Sequence, residues 1–381
     1  MITCKHSKFT LPSRVTYLNC AYMSPLLKNV EKVGIGSLRT KRNPVALPPS
    51  SFFADGELLR KEFAKLINVS NPKRIVIVPS VSYGMATVAR NLKIGRGEKI
   101  IVASEQFPSN FYPWHSLCLE TGAEVKTIES PAELLLRGKK WNERILDGID
   151  NTTRAVAIGN IHWADGTLFW LDQIRKRTRE VGALLIIDGT QSIGALPFDV
   201  EKIQPDALIC AGYKWLLGPY SIGLAYYGEY FDNGSPIEEH WMNRLNSEDF
   251  TQLVNYQPSY QEGSRRYEVG EHSNFVLVPM MLKALQQLNR WGTENIQAYC
   301  KIICKEAIAS LMDKGYWIED ENYRAGHLFG IRLQGKDQQK IKAALLKNNV
   351  HVSFRGDAIR VSPNVYNDMK DMNKLVKALS K

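Results

Sequence analysis

Three short stretches hold residues whose types and spacing could do chemistry. The first is Ile186-Ile187-Asp188-Gly189-Thr190-Gln191-Ser192, an apolar run that ends in an acid and a glycine turn. In open α/β sheets ligands bind outside the carboxyl ends of the strands. Asp188 there could be a metal ligand, a base, an ion partner or a helix cap. The second begins 23 residues after Asp188 and reads Ala211-Gly212-Tyr213-Lys214-Trp215-Leu216-Leu217-Gly218-Pro219. An ammonium is costly to bury among such neighbours. Desolvation lowers its pKa and makes Lys214 a nucleophile able to form a Schiff base. A surface lysine with its stem along apolar groups is the alternative. The third, Val78-Pro79-Ser80-Val81-Ser82-Tyr83-Gly84, lies between a strand-like and a helix-like segment. A helix start there offers free N–H groups and a positive dipole end to a phosphate. It is not a Walker A loop, and the chain has no GxGxxG, so ATP and dinucleotide readings lose their usual support.

These stretches need a scaffold that brings them together. Apolar runs at Arg74–Val78, Lys99–Ala103, Ala155–Ile158, Leu184–Ile187, Ala207–Cys210 and Ile222–Tyr226 read as strands, and Ser82–Asn91 as a helix. Continuous apolar strands alternating with helices predict a mostly parallel sheet covered on both faces. Residues 229–266 are irregular, aromatic and polar, as loops at a site or interface would be. A helix is predicted from Pro279 through Trp291, with proline at its start, and a second from Glu294 to Lys314. Strands at His327–Leu333, Val350–Phe354 and Ala358–Val361, with helices at Gln338–Lys347 and Met369–Leu379, make a smaller tail. The expected division is 1–278, an N-terminal segment with a large α/β domain, and 279–381, a small α+β domain.

Composition narrows the class. The chain has 381 residues, 44% hydrophobic and 23% charged, an ordinary globular balance. Its apolar runs are strand-sized, far short of the roughly 20 residues a spanning helix needs. The start, MITCKHSKFTLPSR, has no apolar leader core. The net charge is +10, yet the basic groups are short and mixed with acids, and no nucleic-acid motif accompanies them. Six scattered cysteines include one close pair, Cys300 and Cys304, spaced for one helix face rather than a zinc knuckle. Free buried thiols fit a reducing compartment, so the expectation is a cytoplasmic protein with no membrane, nucleic-acid or metal partner.

A phosphate cradle, an acid and a Schiff-base lysine together point to pyridoxal phosphate. With DGTQSIG and GYKWLLGP in this order and spacing, the chain from Tyr17 onward resembles the class V aminotransferase group of fold-type I pyridoxal-phosphate enzymes. That group includes cysteine desulfurases, kynureninases and isopenicillin-N-epimerase-like proteins. The resemblance implies that Lys214 links the cofactor and later shuttles protons at the substrate α carbon. It implies that Asp188 pairs with the pyridine nitrogen and that Gln191 bonds the phenolic oxygen. Ser82 and Tyr83 match the phosphate turn, through backbone N–H and the serine hydroxyl. Tyr213 stands where kynureninases carry a phosphate-binding tyrosine and desulfurases a histidine. Phe107 matches the ring stacked on the pyridine, with core packing as the alternative. His162-Trp163-Ala164-Asp165-Gly166-Thr167 matches the loop between cofactor and substrate, which places Asp165 at the cofactor or at a turn cap. Arg360 matches the arginine that clasps the α-carboxylate, with Arg355 as a second candidate, and Asn19 matches the N-terminal wall of the substrate pocket. Tyr267–Asn274 matches the loop that reaches the partner subunit's phosphate. Glu271 replaces the usual threonine there and would repel the phosphate, so the contact passes to Ser273 or Asn274. A homodimer follows from the same resemblance. The aromatic stretches at His240–Met242 and Tyr256–Tyr260 would then face the partner or the substrate.

The reaction is less sharply marked. Cysteine desulfurases need a nucleophilic cysteine on a loop before the tail arginine, and residues 305–381 contain none. Aminotransferase is the commonest activity of the group the chain resembles, so the resemblance implies first an aminotransferase acting on an amino acid or amine. A lyase or hydrolase of the C–S lyase or kynureninase kind, or an epimerase, is the alternative. The combination of Lys214, Asp188 and a phosphate turn argues against a binding module without turnover.

Overall fold

The structure, a computed structural model, describes residues 2–380. The chain opens with a two-residue strand, β1 (Thr16–Tyr17), and two helices, α1 (Lys28–Thr40) and α2 (Ala54–Leu66). Strands and helices then alternate: β2 (Ile75–Val78), α3 (Val81–Asn91), β3 (Lys99–Ala103), α4 (Tyr112–Thr121), β4 (Glu124–Ile128) and α5 (Arg137–Gly148). After these come β5 (Thr153–Gly159), α6 (Leu171–Val181), β6 (Leu184–Asp188), the short α7 (Val200–Ile203), β7 (Ala207–Ala211) and β8 (Gly223–Tyr227). The seven longer strands form one sheet in the order β2-β8-β7-β6-β5-β3-β4. Only β8 runs against its neighbours; the other adjacent pairs are parallel.

The apolar runs explain the sheet. Every residue of β2 and β7 is buried, and alternate side chains feed two cores, one on each face. Ile187, Leu208 and Leu224 enter one core, and Ile186, Ile209 and Ala225 the other. The edge strand β4 has no apolar run to announce it. Its Glu124 and Lys126 are exposed while Ile128 is buried, as suits an edge that must resist pairing with another chain.

The C-terminal part adds α8 (Leu277–Trp291), α9 (Thr293–Asp313), β9 (Phe329–Arg332), α10 (Gln338–Lys347), β10 (Val350–His351), β11 (Ser353–Arg355), β12 (Ala358–Val361) and α11 (Met369–Leu379). A three-stranded antiparallel sheet runs β11-β12-β9. The single strand predicted over Val350–Phe354 is split because its halves have different partners. Thr16 and Tyr17 of β1 pair in parallel with Val350 and His351 of β10, whereas β11 turns to β12. Asn19 then bridges Ser362. The N-terminal segment is thus stitched into the C-terminal layer. The line at 278/279 falls near the start of α8, a helix that packs on α1 and α2. Among the described residues no helix is long and apolar enough to cross a membrane.

One glycine locks the two chemistry-bearing loops together. Gly194, at φ +100°, sits so close to the Trp215 carbonyl that a Cβ would lie 2.3 Å from its oxygen. Gly182, which ends α6 at φ +72°, has open space around it. Gly182→Ala should cost only the left-handed strain, about 1 kcal/mol. Gly194→Ala adds a backbone clash and should cost about 3 kcal/mol or more. Thermal unfolding of the two variants side by side checks this; equal losses would show that the loop contact contributes nothing.

Candidate active site

The parallel strands deliver their carboxyl ends to one place. Gly159 ends β5, Asp188 ends β6 and Ala211 ends β7, and all three line a cavity of about 280 Å³. Lys214, Phe107, Trp163, Ser82 and Tyr213 line it too. A larger hollow of about 910 Å³ lies over the loop from Glu239 to Pro258, but it contains neither Lys214 nor Asp188. The smaller cavity holds the groups with reactive potential.

Lys214 is 5% exposed, which removes the surface-lysine alternative. Its Nζ lies 5.2 Å from the Phe107 ring centre and 5.6 Å from that of Tyr213. Burial is the largest influence on it, and Arg360 and Arg355 add positive charge nearby. Asp188 opposes them, and the amine is pushed down to about 8. Asp188 is equally enclosed. Its Oδ1 accepts the Thr190 N–H at 3.0 Å, while burial pushes its carboxyl pKa up against the pull of Thr190 and Lys214. A buried acid short of a cation, facing a buried amine across a cavity, fits a ring with a protonatable nitrogen and an aldehyde.

One end of the cavity is built by the start of α3. Ser80 caps this helix, its hydroxyl accepting the Tyr83 N–H at 3.2 Å. Tyr83 therefore has no amide to spare, and its side chain does not line the cavity. The donors left at the helix start are the amides of Val81 and Ser82, with the linked Ser80 and Ser82 hydroxyls 2.9 Å apart. Gln191 lines the cavity, yet both ends of its amide are engaged. Its Nε2 donates to the Ala21 carbonyl at 3.1 Å, and its Oε1 accepts from Trp215 Nε1 at 3.0 Å. One N–H remains for the cavity. Behind it, His327 donates Nε2–H to the Gln191 carbonyl at 2.8 Å. Burial holds that imidazole at about 4, so it is a neutral brace.

Several expected contacts lie elsewhere. Asp165 does not line the cavity. Its carboxylate accepts Arg137 at 2.9 Å, Arg332 at 3.1 Å and Thr167 Oγ1 at 2.9 Å, with His162 Nδ1 at 3.2 Å. Burial alone would raise its pKa, but His162, Arg137 and Arg332 hold it well below the usual carboxylate range. Asp165 thus joins β9 to the loop after β5. Asn274 caps α8 by accepting the amides of Val276 and Leu277, and Ser273 faces Met242. Neither lines its own chain's cavity. Asn19 accepts the Ser353 hydroxyl at 2.7 Å, on the side where Arg360 donates to the Trp163 carbonyl at 3.0 Å.

Trp163 and Thr190 were not singled out as site residues by the sequence, though both line the cavity. Trp163 has Arg355 and Arg360 over its ring, at 5.2 and 5.8 Å, and Phe107 edge-on at 5.4 Å. The signal was its position: an indole in the loop after the apolar run Ala155–Ile158. Thr190 accepts the Ala211 N–H at 3.2 Å and so ties the acid's turn to the lysine's. Among the described residues no cluster of His, Cys, Asp and Glu is arranged to hold a metal.

The chain is similar to proteins of known sequence and fold. YcbU, an uncharacterized aminotransferase of Bacillus subtilis (strain 168), is 26% identical over 322 residues, 84% of this chain and 82% of its own. The cystine C–S lyase C-DES, in a structure of a mutant with glycine linked to its PLP cofactor, superposes with a TM-score of 0.88 at 18% identity, over all of both chains. The cysteine desulfurase CsdA of Escherichia coli gives a TM-score of 0.82 at 19% identity, over 98% of this chain and 96% of its own. The family model Aminotransferase class-V matches residues 50–378. By that match, and by a sheet that gathers an acid and a lysine at its carboxyl edge, the chain belongs to the aminotransferase class-V family of fold-type I, pyridoxal-phosphate-dependent enzymes.

Proposed function

We propose that the protein is an aminotransferase that accepts an amino acid and holds its cofactor through Lys214. The observation that carries this is the pairing of a buried Lys214, its pKa lowered, with a buried Asp188 in one cavity, while Arg360 lies behind the cavity wall, over the Trp163 ring. When bound, pyridoxal phosphate supplies an electron-withdrawing ring that spreads negative charge from the substrate α carbon. Asp188 holds a proton on the ring nitrogen, and the new cation relieves the cost of its burial. Lys214, neutral for much of the time near pH 8, takes a proton from the α carbon and returns it at the next position. Phe107 would cover the ring and exclude water from it. The free amides of Val81 and Ser82, the two serine hydroxyls and Tyr213 would hold the phosphate. The side chain of Arg360, 1% exposed, has no acid among the influences on its charge, which suits it to a substrate carboxylate. A homodimer belongs to the same reading, with Ser273 and Asn274 turned toward the partner's cavity rather than their own.

A C–S lyase is the second reading, favoured by the superposition on C-DES. A persulfide-forming desulfurase is disfavoured by the cysteines themselves. Cys20 is the one beside Lys214, its Sγ 3.9 Å from the Lys214 carbonyl. Burial pushes its thiol up to about 12, so it offers no thiolate for attack on sulfur.

A panel of amino acids, each with and without a keto-acid acceptor, separates the two readings. Amino transfer to the acceptor supports the first. Ammonia and pyruvate formed without an acceptor would replace it with the second. Cofactor capture has its own pH signature. The amine loses its proton as pH rises through about 8, so borohydride trapping of pyridoxal phosphate by the apoprotein should speed up to about pH 8 and then level off. Lys214→Ala should abolish trapping at every pH. A rise that continues toward pH 10 would mean an ordinary lysine. Arg360→Gln should raise KM for the amino acid roughly tenfold to a hundredfold while leaving cofactor trapping intact; measured KM and trapping yields check it.

A further inference from the structure

The small antiparallel sheet presents a row of arginines on one face. Arg360 of β12 lies opposite Ser353 of β11, and Arg355 stands two residues along β11 on the same face. Arg332 of β9 lies opposite Ala358 and shares that face too. The acids nearby serve only one of the three. Asp165 and Asp357 both pair with Arg332, although Asp357 follows Arg355 by just two residues. Among the described residues no carboxylate acts on Arg355, burial shifting its pKa down. Arg360 is lowered by burial and by Arg355, and only tyrosines and Cys20 oppose this. Both guanidinium groups lie within 6 Å of the Trp163 ring centre, and both act on Lys214 as positive charges.

An arginine stacked on an indole is often a surface ornament. Here the cluster has a charge imbalance that an ornament does not explain. Two cations sit over the ring that walls the cavity, and the acids within reach are committed to Arg332. A single α-carboxylate neutralises Arg360 and leaves Arg355. We propose that the substrate is an amino acid with a second anionic group on its side chain, held by Arg355 across the face of Trp163 while Arg360 takes the α-carboxylate. This rests on the reading of the cavity as an amino-acid site, and it names the substrate class for that site. Arg355 is then a specificity-determining residue, and Trp163 a platform that keeps the two guanidinium groups apart and oriented.

The probes are glutarate, a dicarboxylate, and butyrate, a monocarboxylate of similar length, titrated by calorimetry into the cofactor-loaded protein. Glutarate should bind at least tenfold more tightly than butyrate. Arg355→Gln, which replaces a half-buried side chain and should fold, is expected to bring glutarate down to butyrate's affinity. Arg355→Lys should keep part of the advantage, because it retains the charge but not the fork. Arg360→Gln should weaken both ligands. Glutarate no tighter than butyrate, or an equal loss of both in Arg355→Gln, overturns the inference. If that happens while borohydride still traps the cofactor on Lys214, the proposed function stands. Failure of trapping overturns both.

Discussion

Lys214 is held out of water by aromatic rings, and among the described residues no carboxylate touches it; Asp188 answers it from across the cavity. Two isolated charges of this kind are unfavourable in a folded interior, so the rest of the fold has to hold them there. The sheet does this by rigidity. Strands buried on both faces end in register, and Thr190 ties the turn after β6 to the end of β7. Gly194 lets the two loops touch backbone to backbone. His327 and Trp215 brace Gln191 from behind. The same packing that makes the fold stable maintains a site with unmet electrostatic demand, and a ligand carrying both a cationic nitrogen and anionic groups satisfies it.

Much of this was legible in the sequence, and the rest was hidden for physical reasons. Strands buried on both faces are written as uninterrupted apolar runs, so six of the seven strands of the main sheet could be read. Edge strand β4 could not, because its exposed side chains carry charge. The split of Val350–Phe354 was invisible because it depends on a partner, β1, more than 300 residues away. Lys214, Asp188, Phe107, Ser82 and Tyr213 were found and do meet in one cavity. Asp165 has the right position in the chain, but Arg137 and Arg332, from distant segments, and His162, three residues before it, draw it away. Tyr83 lost its amide to a cap that any Ser80 in that place would make. Trp163 was passed over because its importance lies in what stacks on it, and stacking partners are not encoded locally.

Membership of a family fixes the cofactor chemistry more tightly than it fixes the reaction. Lys214 and Asp188 would serve transamination and C–S cleavage alike, since both begin by removing the proton from the substrate α carbon. What distinguishes members lies in the second ring of residues. Here that ring contains an inert Cys20, an indole in the loop after β5 and two arginines without acids. The two arginines concentrate positive charge over the Trp163 ring. The overall +10 is a weak guide by itself; where a few of its guanidinium groups stand says more.

The pairing of β1 with β10 has a consequence for how the protein is made. Thr16 finds its partner only when Val350 exists, and Asn19 bridges Ser362 near the end of the chain. Chains are synthesised from the N-terminus and domains fold largely as they emerge, while contacts between distant residues form slowly. The main sheet can therefore assemble on the ribosome, but the wall that carries Asn19, Arg355 and Arg360 must wait for the last strand. A truncated product would own the lysine and the acid and lack both arginines over Trp163, so the last strands complete the surroundings of a cavity whose floor is already built.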